Sequence, residues 1–410
     1  MVDRGEQALS AVSAPCDRVQ TVSNIVSIST ARPQALEFFA GIGLARLGLE
    51  EAGFHVAWAN DYEKDKRDLY AGHFKDEESA SSHSFTLGDI GDVTGSDLPR
   101  NSSLAWGSSP CTDLSLAGSR GGLKSGESNA FWHYMRVLDE LGPDKPPIAV
   151  LENVVGLASS HGGDDLTEAI RAFNDLGYSV DILAIDARRF VPQSRPRLFL
   201  VAAQNVPTLV ADSKHELRPE WLQSFYEDPN LIMHRAALPT PPEMLLSGFS
   251  EQVEHMEPND TRWWDSARTA LFRNSLSAVQ AQRIETLVAG KDVVYRTAYR
   301  RTRKGVAVWE VRPDDISGCL RTARGGSSKQ AVVQLGRGGL RVRWMTPVEY
   351  ARLMGAGDYN LEGARTNQAL FAFGDAVAVP AVRWLAENYL MPLLRGNFHH
   401  EEAVQVAEHG

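Results

Sequence analysis

ALEFFAGIGLARLGLEEAG, residues 35–53, is the stretch from which the fold follows. Its first part, ALEFFAG, is an apolar run of strand length that ends on a glycine. Its second part, GLARLGLEEAG, carries apolar residues at helical spacing and closes on Gly53. A strand that turns through Gly41-x-Gly43 straight into a helix is the opening unit of an α/β sheet. The same alternation runs on to about residue 204. Strands are expected at FHVAWAND (54–61), SFTLGDI (84–90), SSLAWGSS (102–109), IAVLENVVGL (148–157), YSVDILAID (178–186) and RLFLVAAQ (197–204). Helices are expected at EKDKRDLYAGHF (63–74), NAFWHYMRVLDELG (129–142) and DLTEAIRAFNDLG (165–177). Repeated strand–helix–strand spacing of this kind predicts a doubly wound α/β sheet.

Beyond residue 205 the alternation stops. Clustered prolines (LPTPPE, 238–243) and scattered aromatics, including Trp263-Trp264, mark a second and smaller domain. The α/β texture returns in MTPVEYARLMG (345–355) and in DAVAVPAVRWLAENYLMPLL (375–394), read as one long final helix that docks back on the first domain. The expected organisation is a flexible tail over 1–33, a catalytic domain over 34–204, a variable domain over 205–318, closing segments over 319–395 and a second tail over 396–410.

Composition narrows the class. The 410 residues carry three cysteines, Cys16, Cys111 and Cys319, far apart and with no CxxC pair, which fits a reducing compartment and predicts no metal. The N-terminus lacks the basic-then-apolar pattern of a secretory signal, and no apolar run suited to a membrane span stands out. Net charge is −10, yet residues 271–350 hold fifteen Lys/Arg against six Asp/Glu, a local +9 that leaves −19 elsewhere. A basic stripe on an acidic chain suits one face that meets phosphates.

Four segments carry chemistry. In EFFAGIG the glycines let the backbone turn tightly at a helix N-terminus, and Asp61 and Asp89 close the next two strands. Glycine and aspartate at successive strand ends describe a pocket for an adenosine-containing cofactor, which this segment alone does not separate into dinucleotide or S-adenosylmethionine. In WGSSPCTDLSLAG (106–118), Pro110 fixes the backbone before Cys111, a thiol in a small polar loop at a strand's carboxyl end. A free cysteine of pKa about 8.5 is mostly protonated at neutral pH, so a nucleophilic role needs activation; burial as a small apolar side chain is the plainer reading. In LENVV, Glu152 ends the very apolar run IAVL, where a carboxylate is costly unless exposed, paired or working. In PQSRPRLFL, Arg195 and Arg197 lie two apart and share a face if the segment is extended.

Together, in this order and spacing, these segments resemble the DNA (cytosine-5)-methyltransferase family. EFFAGIG is similar to its first cofactor motif, PC at 110–111 to its nucleophile motif, ENV at 152–154 to its acid motif and QSRPR at 193–197 to its arginine motif. LRTARGGSS (320–328) and GDAVAVP (374–380) resemble its two closing motifs. The resemblance spans roughly 34–204 and 318–395, with the variable stretch where the family keeps its target-recognition domain. It implies a Rossmann-like S-adenosylmethionine-dependent methyltransferase fold. By the same resemblance Phe39 and Tyr62 would pack on the cofactor adenine, Gly41 and Gly43 line its pocket, Asp61 hold the ribose, and Asp89 and Ile90 contact the base. Pro110, Asp375 and Val377 would complete the cofactor site. Cys111 would be the nucleophile, Glu152 would address the cytosine ring, and Arg195 and Arg197 would stand near the base and the DNA backbone. Arg296, Arg300, Arg301, Arg303, Arg321 and Arg324 would grip phosphates. The partner implied is double-stranded DNA, met by a monomer in the bacterial cytoplasm or nucleoid, with no membrane and, by the family's habits, a cognate restriction endonuclease.

The chain departs from the family pattern at Leu44, where a further glycine is usual, and at Ser109, where an aromatic or proline often precedes PC. Asp375 takes a place usually held by asparagine, and a carboxylate cannot donate as an amide does. Three other readings compete: an RNA cytosine methyltransferase of the same fold, a DNA-binding protein without catalysis, and a dinucleotide oxidoreductase. The last leaves PC, ENV and QSRPR unexplained.

Overall fold

The first sheet has seven strands, β1 (Gln34–Phe38), β2 (His55–Asp61), β3 (Ser84–Leu87), β4 (Leu104–Gly107), β5 (Ile148–Val154), β6 (Ser179–Asp186) and β7 (Pro196–Ala203). They are seen in a computed structural model that describes residues 1, 32–78, 82–109, 130–204, 215–303, 305–321 and 329–396. The tails expected at 1–33 and 396–410 fall almost wholly outside these residues. The strand order is β3-β2-β1-β4-β5-β7-β6. The first five strands run parallel, and β7 lies antiparallel to both β5 and β6. Chain order reverses between β1 and β4, so the crevice at their carboxyl ends is the switch point where such sheets take ligands.

The strands read as near-continuous apolar runs because helices cover both faces. α1 (Leu44–Glu51) and the C-terminal helices bury one face, around Leu49, Val56, Val382 and Leu385. α3 (Ala130–Glu140) and α4 (Asp164–Asp175) bury the other, around Phe131, Tyr134, Ile170 and Phe173. α2 (Lys64–Glu78) caps the β2 side with Tyr70 and Phe74 against Ala40 and Ala59.

The second sheet is antiparallel, formed by β8 (Val294–Arg303), β9 (Val306–Val311), β10 (Ala331–Gly336) and β11 (Gly339–Trp344) in the order β11-β10-β8-β9. Short helices α5 (Gln223–Glu227) and α6 (Phe249–Gln252) precede it. α7 (Ser266–Asn274) and α8 (Ala278–Val288) supply Phe272 and Ile284 to its core beside Ala298 and Val333. Residue 318 is therefore not an edge of this sheet, since β10 and β11 pair beyond it.

The last segment differs from the single helix expected over 375–394. α9 (Pro347–Leu353) is followed by α10 (Thr366–Asp375), which ends at the aspartate, and Ala376–Ala378 turn away from helical geometry. α11 (Val379–Leu385) then restarts with Pro380 in its first turn, where a missing N–H costs nothing. A π turn leads to α12 (Met391–Leu394). Thr366–Leu394 is long and apolar enough to cross a membrane, but 72% of its most apolar window is packed inside the protein.

One buried carboxylate ties the later chain to the first sheet. Asp181 on β6 accepts from Arg218 through Nε (2.8 Å) and Nη2 (2.5 Å), from the hydroxyls of Tyr226 (2.5 Å) and Tyr389 (2.9 Å), and from the Ala236 N–H (3.1 Å). Burial pushes its pKa up, but Arg218 and the other donors outweigh burial and hold it below 3.8. Asp181→Asn is expected to cost about 3–5 kcal/mol at pH 7, because it leaves a buried guanidinium uncompensated. The deficit should persist above the ordinary aspartate pKa and close as pH falls through the lower folded value; urea unfolding of wild type and variant at descending pH checks both.

Candidate active site

The turn after β1 is strained in a defined way. Phe39, Gly41 and Gly43 have φ of +57°, +58° and +77°, the left-handed region that glycine enters freely and phenylalanine does not. At Gly43 a Cβ would meet Phe74 at 2.5 Å and Tyr70 at 2.7 Å, so the turn is closed underneath. At Gly41, among the described residues, only the Lys66 Cδ comes within 4.0 Å of such a Cβ, so the outer side of the turn is open to a ligand. Phe39 is half-buried, edge-on to Tyr134 at 6.5 Å.

Asp61, at the end of β2, holds this turn. Its Oδ2 accepts from the Gly41 N–H at 2.8 Å and its Oδ1 from the Glu63 N–H at 2.8 Å. Burial raises its pKa, with Lys66 acting against that rise. Tyr62 is 59% exposed, an unpacked ring beside the turn. Asp89 is exposed and caps the following turn through Gly91 N–H at 2.7 Å. Ile90 is buried, packed with Val93 and Leu98. Asp375 lies across the turn, paired with Lys66 at 3.1 Å, and Val377 is buried.

Pro110 and Cys111 lie outside the described residues, but the chain that leads to them is fixed. The Ser108 N–H donates to Phe38 O at 3.4 Å, and Trp106 Nε1 to Ser108 Oγ at 3.0 Å. Asn153 Nδ2 donates to Ser109 O at 3.0 Å, so the residue after Glu152 holds the last described residue before Pro110. Ser109 is buried, and its hydroxyl has no partner among the described residues.

Glu152 and Arg197 meet because β7 runs against β5. The register sets Glu152 opposite Phe199 and Val154 opposite Arg197, so Glu152 and Arg197 are diagonal neighbours on one face. Arg197 Nε stands 3.0 Å from Glu152 Oε1, and the carboxylate side chain is 8% exposed. Arg195 does not join them. It precedes β7, and its guanidinium donates to Leu320 O (2.7 Å), Gly374 O (3.1 Å) and Ala376 O (2.5 Å). Burial, with Arg197 nearby, lowers its pKa to about 10, so it stays charged at neutral pH. In this arrangement Arg195 clamps three carbonyls of the later chain rather than pairing with Glu152. Gln193 works beside it, donating to Leu353 O at 2.7 Å and accepting from Leu320 N–H at 3.0 Å.

Cys319 Sγ lies 3.5 Å from Arg195 Nη1. Burial pushes this thiol up, but Arg195, Arg197 and Arg321 outweigh it and bring it below the usual value. The roles of Gln193, Asn153, Lys66 and Cys319 were not legible beforehand; the first two lay inside quoted motifs, the others had no local signal.

The arginines expected to grip phosphates divide between two faces of β8. Arg296 and Arg300 share a face with buried Ala298, while Arg301 falls on the other by strand alternation. Arg296 Nη1 is 3.7 Å from Asp315, and Arg301, half exposed, is 3.3 Å from Glu310. One strand face cannot therefore present Arg296, Arg300 and Arg301 together. Arg321 is exposed, and Arg324 lies outside the described residues.

A family model described as C-5 cytosine-specific DNA methylase matches residues 34–390. The chain belongs to this family. The type II methyltransferase M.HhaI of Haemophilus parahaemolyticus is 24% identical over 354 residues, covering 86% of this chain and 93% of the relative. M.HaeII of Haemophilus aegyptius is 24% identical over 375 residues, covering 91% and 98%. M.Bsp6I of a Bacillus species is 30% identical over 177 residues, a match to 42% of this chain and about half (53%) of that relative. The S. pombe Dnmt2 methyltransferase superposes with a TM-score of 0.55 at 16% identity, over 88% of this chain and 99% of the other. The Entamoeba histolytica methyltransferase EhMeth gives 0.52 at 14%, over 90% and 100%. These two likenesses establish the methyltransferase fold. The chain is thus a cytosine-5 DNA methylase, an enzyme class that uses S-adenosylmethionine.

Two substitutions separate the clamp from the working pair in this methylase. Arg195→Leu is expected to cost about 3–5 kcal/mol of stability by stranding three buried carbonyls. Asn153→Ala is expected to cost only about 1 kcal/mol while lowering methyl transfer at least tenfold, because it frees the Ser109 carbonyl. Chemical denaturation and a labelled-methyl assay, run on both variants, check the contrast.

Proposed function

We propose that this methylase transfers a methyl group to C5 of cytosine within a specific duplex DNA sequence, through covalent addition of Cys111 to C6 of a flipped-out base. The observation that carries this reading is the Glu152–Arg197 pair, 3.0 Å apart, with Asn153 beside it fixing the entrance to the Pro110-Cys111 loop. Both features lie at the carboxyl edge of the sheet, where β4 and β5 end beside the β1–β4 switch point.

The chemistry needs these groups. Cytosine C5 is a poor nucleophile. When the Cys111 thiolate adds to C6, the sulfur–carbon bond forms and the C5–C6 π electrons move toward C5 and the ring amidine. A proton held between Glu152 and N3 offsets the charge that builds there; Arg197 bonds O2 to the same end. S-adenosylmethionine, when bound, supplies the electrophilic methyl that C5 takes up. Loss of the C5 proton to a base then restores the double bond and expels Cys111 as thiolate.

The residues fit that cofactor. Gly41 and Gly43 form a turn open on its outer side, Asp61 offers remaining acceptor capacity beside it, and the exposed Tyr62 ring and half-buried Phe39 offer stacking surfaces. Asp89, Pro110, Asp375 and Val377 complete the expected set. The target base must leave the helix, at a cost of roughly a few kcal/mol, which contacts to flanking phosphates offset. On this reading Arg301, Arg303, Arg321 and Arg324 meet the backbone. The full complement of site residues on one chain supports action as a monomer, and the type II names of the relatives support a bacterial cytoplasmic restriction–modification setting with a cognate endonuclease.

Incubation with labelled S-adenosylmethionine and mixed-sequence duplex DNA should label DNA, and Cys111→Ala should abolish the label. Glu152→Gln should lower kcat by about 10²–10⁴ with the fold intact. Full labelling by the alanine variant would overturn the covalent route, and transfer to RNA but not DNA would favour an RNA substrate. Binding to unrelated DNA should weaken log-linearly with added salt, and a flat response would remove the phosphate role.

A further inference from the structure

Lys66 sits in the first turn of α2, with its ammonium 3.0 Å from Glu63 Oε1 and 3.1 Å from Asp375 Oδ2. Its side chain is 13% exposed. Burial pulls its pKa down, but Asp61, Asp375 and Glu63 together outweigh burial and raise it above the usual lysine value, so the ammonium stays charged. The aliphatic stem crosses the open side of the glycine turn, 4.0 Å from where a Cβ on Gly41 would stand. Asp61, one of the three acids that act on it, is the residue that holds the Gly41 N–H. Lys66 therefore joins three parts of the pocket: the glycine turn, the end of β2 and the end of α10.

Asp375 is the departure from the family's usual asparagine. Its position is fixed from behind, since Arg195 bonds the carbonyls on both sides of it, Gly374 and Ala376. A carboxylate held at this place needs a cation, and Lys66 supplies one. The contact does not stand alone. Arg365 Nη2 lies 2.7 Å from Asp65 Oδ2, and Gln368 Nε2 donates to Asp65 O at 2.9 Å, so α10 is tied along α2 at both ends.

We propose that Lys66 is a cofactor-positioning residue, which with Asp375 forms an ionic strap that closes the C-terminal segment over S-adenosylmethionine at the Gly41 turn. The proposal rests on the cofactor reading above. Lys66 and Asp375 are coupled through their 3.1 Å contact, and the lysine without Asp375 keeps Glu63 at 3.0 Å and the charge of Asp61.

The test is the dissociation constant for S-adenosylmethionine, measured by calorimetry on the full chain without DNA, for wild type, Lys66→Met, Asp375→Asn and the double variant. Thermal unfolding without cofactor accompanies each as a check on folding. Lys66→Met should weaken binding about tenfold, and Asp375→Asn about threefold, since Glu63 and Asp61 still hold the lysine. The double variant should weaken binding by clearly less than the two single effects multiplied, a coupling that independent losses would not produce. At saturating cofactor, kcat of Lys66→Met should stay near wild type while KM for the cofactor rises. Single variants that bind as wild type does, or losses that simply add in the double variant, would overturn the strap. A wild-type chain that binds no S-adenosylmethionine would overturn the cofactor reading itself.

Discussion

One buried guanidinium fastens the closing segments to the wall of the pocket. Arg195 bonds carbonyls that are 125, 179 and 181 residues further on, at Leu320, Gly374 and Ala376. A buried cation without a direct carboxylate partner is costly unless its N–H groups are bonded, and three carbonyl dipoles accept from its Nη1 and Nη2 groups. Lysine could not replace it, since one ammonium cannot reach three acceptors arranged around a planar fork. Everything at the far side of the pocket depends on this point. Asp375 stands between two of the bonded carbonyls, and Leu320 is also bonded by Gln193.

QSRPR is therefore two devices in five residues. Gln193 and Arg195 face inward and fasten distant backbone; Arg197 enters β7 and meets Glu152. The division follows from where the strand begins. Arg197 obeys the two-residue alternation of β7, and Arg195, before the strand, does not. The antiparallel setting of β7 is what brings the start of one strand to the end of another. A parallel neighbour would have delivered its first residues to the opposite edge of the sheet.

The first sheet was legible because its signals are local. Apolar runs bounded by glycine, and helices closed by Gly53, Gly142 and Gly177, lie within a few residues of what they specify. The second sheet was hidden for the opposite reason. VYRTAYRRTR in β8 alternates, but with arginine on both faces, so it read as a basic stripe rather than a strand. The break at Ala376–Ala378 was missed because DAVAVPAVRWL reads as continuous helix, and only Pro380 hints at the restart. Gly41, Asp61 and Glu152 could be picked out by residue type and strand-end position. The separate fates of Arg195 and Arg197 could not, because their partners lie far along the chain.

The order of the chain adds a constraint of timing. The glycine turn, Asp61, Glu152 and both arginines of QSRPR leave the ribosome in the first half of synthesis, while Gly374, Asp375 and Ala376 come close to the end. Until then Arg195 has no carbonyls from α10 to bond, Lys66 lacks its partner, and α1 lacks α11, whose Val379 carbonyl and Val382 Cβ pack so close to Gly48 that each would be 2.7 Å from an added Cβ. A nascent chain thus carries the reactive groups of the site well before it carries the wall of the cofactor pocket, so a prematurely ended product holds chemistry it has no means to use.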